Sequence, residues 1–250
     1  MTAYDVSFCE AIEAAGIDVV LVGDSLGNVI LGCDSTVHVT LEDMARHGAA
    51  VARAALRCHV IIDLPFMSYE ISEAEAIRSA GFLVRAGASS VKLEGAAHAS
   101  RIAAIAAAGI PVVGHIGVLP QTADLHEGFR RRGNRAELLA DARAVAAAGA
   151  FAVVLEMVDR DVAGEITREL AIPTIGIGSG PHCDAQILVL NDLLGLSRTP
   201  PPFVHPYADL KTIATNALRS YADDVRSGGF AQDALAGHPD AARAGVSAPQ

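Results

Sequence analysis

One short pattern recurs along the chain and constrains the fold more than any other feature of the sequence. An alanine-rich run ends at a glycine or another small residue, and an apolar run follows directly, at residues 14–25, 85–95, 106–117, 146–157 and 169–180. Glycine just past a helix supplies the left-handed conformation that ends it. A continuous apolar run then indicates a strand that is buried on both faces. The repeat therefore predicts helices that alternate with parallel strands.

Two further apolar runs, at residues 59–65 and 186–192, raise the number of candidate strands to seven. Helical segments are predicted near residues 6–16, 41–57, 72–86, 98–108, 135–148, 158–170 and 208–225. This order is typical of an α/β protein with a parallel sheet. The spacing is close to that of a (βα)8 TIM-type barrel, which needs about 250 residues. A doubly wound open sheet remains the competing arrangement.

Composition excludes several classes of protein. With 51% hydrophobic and 19% charged residues, the chain can bury a sizeable core. The longest apolar runs, at 102–114 and 144–155, are shorter than the roughly 20 residues of a membrane-spanning helix. A net charge of −10 argues against a nucleic-acid surface. Four separated cysteines without metal-binding spacing, and an N-terminus without a signal peptide, predict a cytoplasmic protein with reduced thiols.

Polar residues stand where the predicted strands end. In a barrel, the carboxyl ends of the strands converge on one mouth, which is where catalytic groups are placed. An open sheet would spread the same residues along a wide edge, so convergence favours the barrel. Lysine and glutamate at buried strand positions are costly unless they are paired or functional. The residues at these ends are Asp24, Asp63, Glu94, His115 and Glu156, with Ser25 directly after Asp24 and Lys92 two positions before Glu94.

Taken singly, most of these residues have an ordinary structural explanation. Asp24 or Asp63 alone could cap a helix or a turn, and His115 alone could be a buried histidine with satisfied hydrogen bonds. Together, three carboxylates with few histidines nearby suggest a hard divalent cation, most plausibly Mg2+. Zinc is disfavoured because no paired Cys/His spacing exists. The glycine-rich stretch 176–180 is a weak ligand-binding signal, since a tight turn explains it equally well. The arginines at 130–132 are predicted to form a solvated loop, the alternative being that one of them reaches an anionic substrate.

Several motifs in order and spacing give a more specific signal. They are VGDSLG (22–27), DLPFMSY (63–69), GASSVKLEG (87–95), PVVGHIG (111–117), VLEMV (154–158) and IPTIGIGSG (172–180), with TAYD (2–5), GCDSTVHVT (32–40), CDAQILVLNDLLGL (183–196) and PPFVHPYADL (201–210). Over residues 2 to about 227 the chain resembles the ketopantoate hydroxymethyltransferase (3-methyl-2-oxobutanoate hydroxymethyltransferase) family. The resemblance implies a (βα)8 barrel at 1–227 and leaves 228–250 as a tail without a periodic pattern, which we expect to be disordered.

The resemblance also implies an activity and roles for single residues. The activity is transfer of a one-carbon unit from 5,10-methylenetetrahydrofolate to 3-methyl-2-oxobutanoate, with one Mg2+ per subunit, and the assembly is a homo-oligomer, commonly a decamer. No nucleic-acid or membrane partner is expected. By position, the residues that resemble the family's metal ligands are Asp24, Asp63 and Glu94. Those that resemble its substrate-binding residues are Asp24, Ser25, Asp63, Lys92 and His115. Glu156 resembles the catalytic proton acceptor. Whether Glu156 acts on the substrate C3 proton or on the folate nitrogen stays open.

The sequence departs from the family pattern at its start. Family chains begin about twenty residues earlier, so most of the first barrel strand is expected to be missing, and a native start upstream of Met1 is the hypothesis. Two other functions compete with the transferase. One is a C–C lyase or mutase of the phosphoenolpyruvate mutase/isocitrate lyase superfamily, although nothing here resembles the cysteine-containing catalytic loop of those lyases. The other is an inactive truncated barrel.

Overall fold

A computed structural model describes residues 1–125 and 129–230. Seven parallel strands form one sheet in sequence order. They are β1 (Val19–Val22), β2 (His59–Asp63), β3 (Ser90–Lys92), β4 (Val112–Gly117), β5 (Ala152–Glu156), β6 (Thr174–Ile177) and β7 (Ala185–Gln186). The α/β class and the parallel sheet are thus confirmed, and an open doubly wound order is wrong because no strand is out of sequence order.

Helices fill the connections between the strands. They are α1 (Val6–Ala14), α2 (Leu26–Val29), α3 (Leu41–Ala54), α4 (Glu73–Arg85), α5 (Ala99–Ala107), α6 (Arg135–Ala147), α7 (Arg160–Glu169), α8 (Leu190–Leu193) and α9 (Leu210–Ser227). Side chains of Asp5, Thr40, Ser72, Asn134 and Asp159 accept from backbone N–H groups and fix the starts of α1, α3, α4, α6 and α7. Within the described residues, no helix is long and apolar enough to cross a membrane.

The strand predicted at 186–192 is the least accurate assignment. Of that range only Gln186, the last residue of β7, lies in a strand; residues 187–189 lie in no helix or strand, and Leu190 begins the short helix α8. An apolar run of this length fits a buried strand and a buried helical turn equally well, so its composition could not decide between them. The tail predicted from residue 228 begins at Gly228, whose left-handed conformation ends α9, and residues 231–250 lie outside the described part of the chain.

The sheet is curled, and the first residues of the chain bridge its two edges. The N–H of Ala3 donates to the carbonyl of Leu21 in β1 at 3.0 Å. On the other side, the N–H of Thr2 donates to the carbonyl of Leu188, just after β7, at 3.2 Å. A barrel without its first strand would expose two unpaired edges, but residues 1–3 pair with both edges here.

Side chains alternate strictly between the two faces of the sheet. Leu21, Ile61, Val113 and Val154 point to the inner, concave face, where they form a small apolar cluster. Their neighbours along the strands pack outward in the larger cluster with the helices. Because side chains alternate with a period of two, the inner set predicts which strand-end residues face the interior. Asp63, Lys92, His115 and Glu156 have that parity.

Glu13, near the end of α1, joins that helix to the beginning of β2. Its buried carboxylate accepts from the N–H groups of Arg57 and Cys58, at 2.6 and 2.8 Å. These two hydrogen bonds lower the pKa of Glu13 from 4.5 to about 2.

The low pKa of Glu13 predicts a specific loss of stability in acid. A carboxylate whose pKa is depressed by folding stabilises the fold above its unfolded pKa and loses that contribution as the pH falls from about 4.5 toward about 2. Between those values we expect the urea midpoint of the wild type to fall more steeply than that of Glu13→Gln. Glu10→Gln, at an exposed position of the same helix, is the matched control and should keep the wild-type slope. Parallel slopes for Glu13→Gln and the wild type would contradict the assignment.

Candidate functional site

The strand-end residues singled out in the sequence line one cavity of about 990 Å³ at the carboxyl ends of the strands. Asp24, which follows β1, and Glu94, which follows β3, are both buried. The backbone N–H of Asp24 donates to Asp63 Oδ2 at 3.1 Å and so joins the ends of β1 and β2. The structure therefore brings together every predicted site residue: Asp24, Ser25, Asp63, Lys92, Glu94, His115 and Glu156.

Lys92 lies between carboxylates at the bottom of this cavity. Its Nζ is 3.2 Å from Asp63 Oδ1 and 3.9 Å from Glu94 Oε1. Burial opposes the charge on Lys92, but the neighbouring carboxylates Asp63, Glu94 and Asp24 outweigh it and raise the pKa of the ammonium group. The lysine is thus held as a cation in the lining of the cavity.

Asp24 and Asp63 differ from Glu94 in their electrostatic setting. Burial, followed by the charges of Asp63 and Glu94, raises the pKa of Asp24 to about 8. Burial likewise raises the pKa of Asp63, although Lys92 opposes this. Burial also acts against ionisation of Glu94, but His115 and Lys92 outweigh it and lower the pKa of that carboxyl. The cluster carries more carboxylate than cation and is poised to accept positive charge.

His115 connects the buried cluster to Glu156. Its Nδ1 lies 3.3 Å from Glu94 Oε1, and its Nε2 lies 3.3 Å from Glu156 Oε2. Burial and Lys92 act to lower the pKa of His115, but Glu94 and Glu156 outweigh them and raise it to about 9. The Glu156 side chain is 16% exposed, against 2% for Asp63 and 3% for Glu94. Glu156 is therefore the carboxylate of this group that a bound molecule can reach most directly.

Three polar residues that sequence reasoning missed complete the site. Tyr4 Oη lies 2.8 Å from Ser25 Oγ. Gln121 Nε2 donates to Asp24 Oδ2 at 2.8 Å, and Tyr69 Oη donates to Gln121 Oε1 at 2.7 Å. Tyr4 and Tyr69 lie inside the motifs TAYD and DLPFMSY, which carry the family resemblance but give neither tyrosine a role of its own. Gln121 lies four residues beyond the last residue of β4, and that position at a strand end was the available signal.

Two sequence features outside the cluster have structural roles. Arg131 Nη1 donates to the carbonyls of Val158 and Gly178, at 2.9 and 2.7 Å. Ser179 Oγ, in the glycine-rich stretch, donates to the carbonyl of Leu155 at 2.7 Å. These contacts join the ends of β5 and β6. Arg131 is exposed, as a solvated loop requires, and its guanidinium group also supplies donors to carbonyls at these strand ends.

Known structures define the fold class. Phosphonopyruvate hydrolase matches 99% of this chain and 85% of its own at 17% identity, with a TM-score of 0.61. The 2,3-dimethylmalate lyase of the PEP mutase/isocitrate lyase superfamily matches 91% and 82% at 17% identity, with a TM-score of 0.57. The chain is thus an α/β protein with the fold of that superfamily, and its candidate site lies at the carboxyl ends of the strands.

Sequence comparisons then decide the family. The ketopantoate hydroxymethyltransferase family model matches residues 1–233. A 3-methyl-2-oxobutanoate hydroxymethyltransferase from Hyperthermus butylicus is 53% identical over 92% of this chain and 82% of its own. The enzyme of the same name from Pyrobaculum islandicum is 51% identical over 92% of this chain and 90% of its own. The one from Desulforapulum autotrophicum is 52% identical over 92% of this chain and 89% of its own. The chain belongs to the ketopantoate hydroxymethyltransferase family, which is a family of enzymes.

Proposed function

We propose that this protein transfers a hydroxymethyl group from 5,10-methylenetetrahydrofolate to 3-methyl-2-oxobutanoate, giving 2-dehydropantoate, the first committed step of pantothenate and coenzyme A synthesis. The observation that carries the proposal is the family match over residues 1–233. The common cavity of the seven expected site residues supports it. The net reaction consumes one water, which supplies the hydroxyl oxygen, and releases tetrahydrofolate.

The chemistry of the donor set fits a divalent cation. Asp63 Oδ1 and Glu94 Oε1 are buried without a hydrogen bond of acceptable geometry. Within residues 1–125 and 129–230 no three His, Cys, Asp or Glu side chains form a ready metal centre. Mg2+ needs only one or two carboxylates when water and substrate supply its other ligands. Asp24 and Asp63, linked through the N–H of Asp24, would hold it, with Glu94 beside them.

When bound, such a cation polarises the keto oxygen of the substrate and makes the neighbouring C3 proton more acidic. The remaining tasks fall to the protein. The Lys92 ammonium group, fixed by Asp63, attracts the substrate carboxylate, and the Ser25 hydroxyl, held by Tyr4, donates a hydrogen bond to it. Both groups reduce the freedom of the keto acid before the reaction.

Proton removal is assigned to Glu156. In this proposal its carboxylate takes the C3 proton, and C3 then forms a bond to the one-carbon unit supplied by the folate. His115 lies 3.3 Å from Glu156 Oε2 and orients that carboxylate. Both bonds from the one-carbon unit to the folate nitrogens break: one nitrogen takes the proton held on Glu156, and the other takes a proton from the water that supplies the hydroxyl group. The cavity, at about 990 Å³, is at the upper end of the range for small-molecule sites and has room for a folate beside the small keto acid.

Proton exchange tests this proposal directly. The protein is mixed with 3-methyl-2-oxobutanoate and Mg2+ in D2O, and the C3 proton is followed by NMR. Loss of the C3 signal that depends on Mg2+, followed by 2-dehydropantoate when 5,10-methylenetetrahydrofolate is added, is the expected result. Exchange without that product would favour lyase-type enolate chemistry. A folded protein that shows no exchange of the C3 proton would favour the inactive barrel. Either result would contradict the proposed transferase activity.

We also propose that the sheet closes as a (βα)8 barrel, with residues 1–3 in the place of the remaining strand. Their hydrogen bonds to Leu21 on one side and Leu188 on the other support this closure. A strand in that place is paired on both sides, as barrel closure requires.

The proposal includes a homo-oligomer, by resemblance a decamer, and α9 supports an assembly. Although α9 is 18 residues long, none of its residues is buried. Ile213, Leu218, Tyr221 and Val225 lie on one side of it and are between 49% and 67% exposed. An apolar stripe of this length is costly in water, and a second copy of the chain would cover it.

Replacing Leu218 by Glu should therefore weaken the assembly, because it puts a charge into the apolar stripe that the second copy would cover. We expect the mass from light scattering after size exclusion to fall to that of a smaller species at micromolar concentration. Asn216→Glu is the matched control, since residue 216 lies on nearly the opposite side of the helix and should leave the mass unchanged. An unchanged mass for Leu218→Glu would contradict the stripe as the contact.

A further inference from the structure

Gln121 is the buried polar residue of the site for which neither the family resemblance nor the strand-end pattern gave a role. It lies in the 3-10 segment Pro120–Leu125 that follows β4, and it is 2% exposed. Its Nε2 donates to Asp24 Oδ2 at 2.8 Å and to the carbonyl of Leu64 at 3.0 Å. Both amide hydrogens are thereby used, so the side chain holds Asp24 against the end of β2.

Tyr69 determines which way this amide points. Its hydroxyl donates to Gln121 Oε1 at 2.7 Å, and the N–H of Glu94 donates to the same hydroxyl oxygen at 3.3 Å. The tyrosine is itself buried, with its ring edge-to-face against His98 at 5.2 Å between centroids. Since the amide oxygen faces the tyrosine hydroxyl, the amide nitrogen must face Asp24.

The main chain of Gln121 holds a second carboxylate of the site. Its backbone N–H donates to Glu94 Oε2 at 3.1 Å, which leaves Glu94 Oε1 without a hydrogen bond. Asp24 follows β1 and Glu94 follows β3, so one residue fixes carboxylates from two different strands. The amide does this without adding charge to a cluster in which Asp63 and Glu94 already pair with Lys92.

We propose that Gln121 is the positioning residue of the site, which sets Asp24 through its side chain and Glu94 through its backbone so that a divalent cation and the keto acid meet carboxylates already in place. The inference rests on the proposed function. It predicts that loss of the amide weakens cation binding even in a protein that stays folded. Supporting residues of this kind change metal affinity or activity by roughly 10- to 100-fold when they are replaced.

Gln121→Met tests this, because it keeps the length of the side chain and removes both hydrogen-bonding groups. The probe is Mn2+ alone, with free ion measured by electron paramagnetic resonance, so the readout needs no turnover. We expect the dissociation constant for Mn2+ to rise roughly 10- to 100-fold, and the KM for 3-methyl-2-oxobutanoate to rise with it. Gln186→Met is the matched control, since Gln186 is exposed and, within the described residues, its side chain donates to the carbonyl of Gly180.

A purely structural Gln121 would lower the melting temperature and leave Mn2+ affinity and KM within twofold of wild type, and that result would overturn the proposal. If Gln121→Met does not fold, Tyr69→Phe tests the proposal instead, because it removes only the hydroxyl that orients the Gln121 amide. Unchanged Mn2+ affinity in Tyr69→Phe would equally overturn the proposal. Failure of the proposed function is distinguishable: the wild type would then bind Mn2+, with Gln121→Met still weaker, yet form no 2-dehydropantoate.

Discussion

Replacing Glu156 by Gln is expected to slow the exchange of the C3 proton of 3-methyl-2-oxobutanoate by roughly 10²- to 10⁴-fold, the usual contribution of a positioned general base. The amide keeps the size of the side chain and cannot take up a proton. Among these carboxylates Glu156 has the most exposed side chain, at 16% against 2% for Asp63 and 3% for Glu94, so it is the one we expect to reach C3. Exchange is measured in D2O by NMR at saturating Mg2+.

The matched control for this prediction is Glu42→Gln, at an exposed position in the first turn of α3. It removes the same charge far from the cavity and should leave the exchange rate unchanged. A Glu156→Gln protein with a wild-type melting temperature and wild-type exchange would show that another group takes the C3 proton. Exchange that is lost together with Mn2+ binding would instead assign Glu156 to the cation rather than to the proton.

Replacing Lys92 by Met is expected to produce the second large effect, a loss of about 3 kcal/mol in the free energy of unfolding together with loss of keto acid binding. Removing one partner of a buried ion pair leaves its charge uncompensated, which costs roughly 3–5 kcal/mol. The lower figure applies because burial already raises the pKa of Asp63 although Lys92 opposes it, so Asp63 can take up a proton once the lysine is gone. Urea unfolding measures the change in free energy.

The cost of Lys92→Met should grow with pH. Carboxyl groups with a pKa raised by folding bind a proton more readily in the folded state, so their contribution is lost as the pH rises toward the folded pKa. We therefore expect a larger loss at pH 9 than at pH 6. Adding Asp63→Asn removes the partner 3.2 Å away and should restore part of the stability without restoring activity. A pH-independent loss without rescue would mean that lost packing, not charge, is responsible.

The local pattern of the chain was enough to predict most of the fold. Apolar runs that follow alanine-rich segments marked five of the seven strands, and two further apolar runs marked β2 and β7. The strand-end positions of Asp63, Lys92 and Glu156 also followed from sequence, because side-chain alternation in a strand is a local property. The length of β7 did not follow, since its apolar run also suits the helix α8.

What the sequence determined by itself is thus the order of helices and strands, the family, and the polar residues that stand at strand ends. The tertiary structure alone decided how those residues are held. Gln121 contacts Asp24 across 97 positions of sequence, and Tyr69 contacts Gln121 across 52. The raised pKa of Asp24 likewise depends on burial and on neighbours from other strands. Such contacts exist only once the sheet has curled, and no periodicity within a segment encodes which distant side chain the curling brings near.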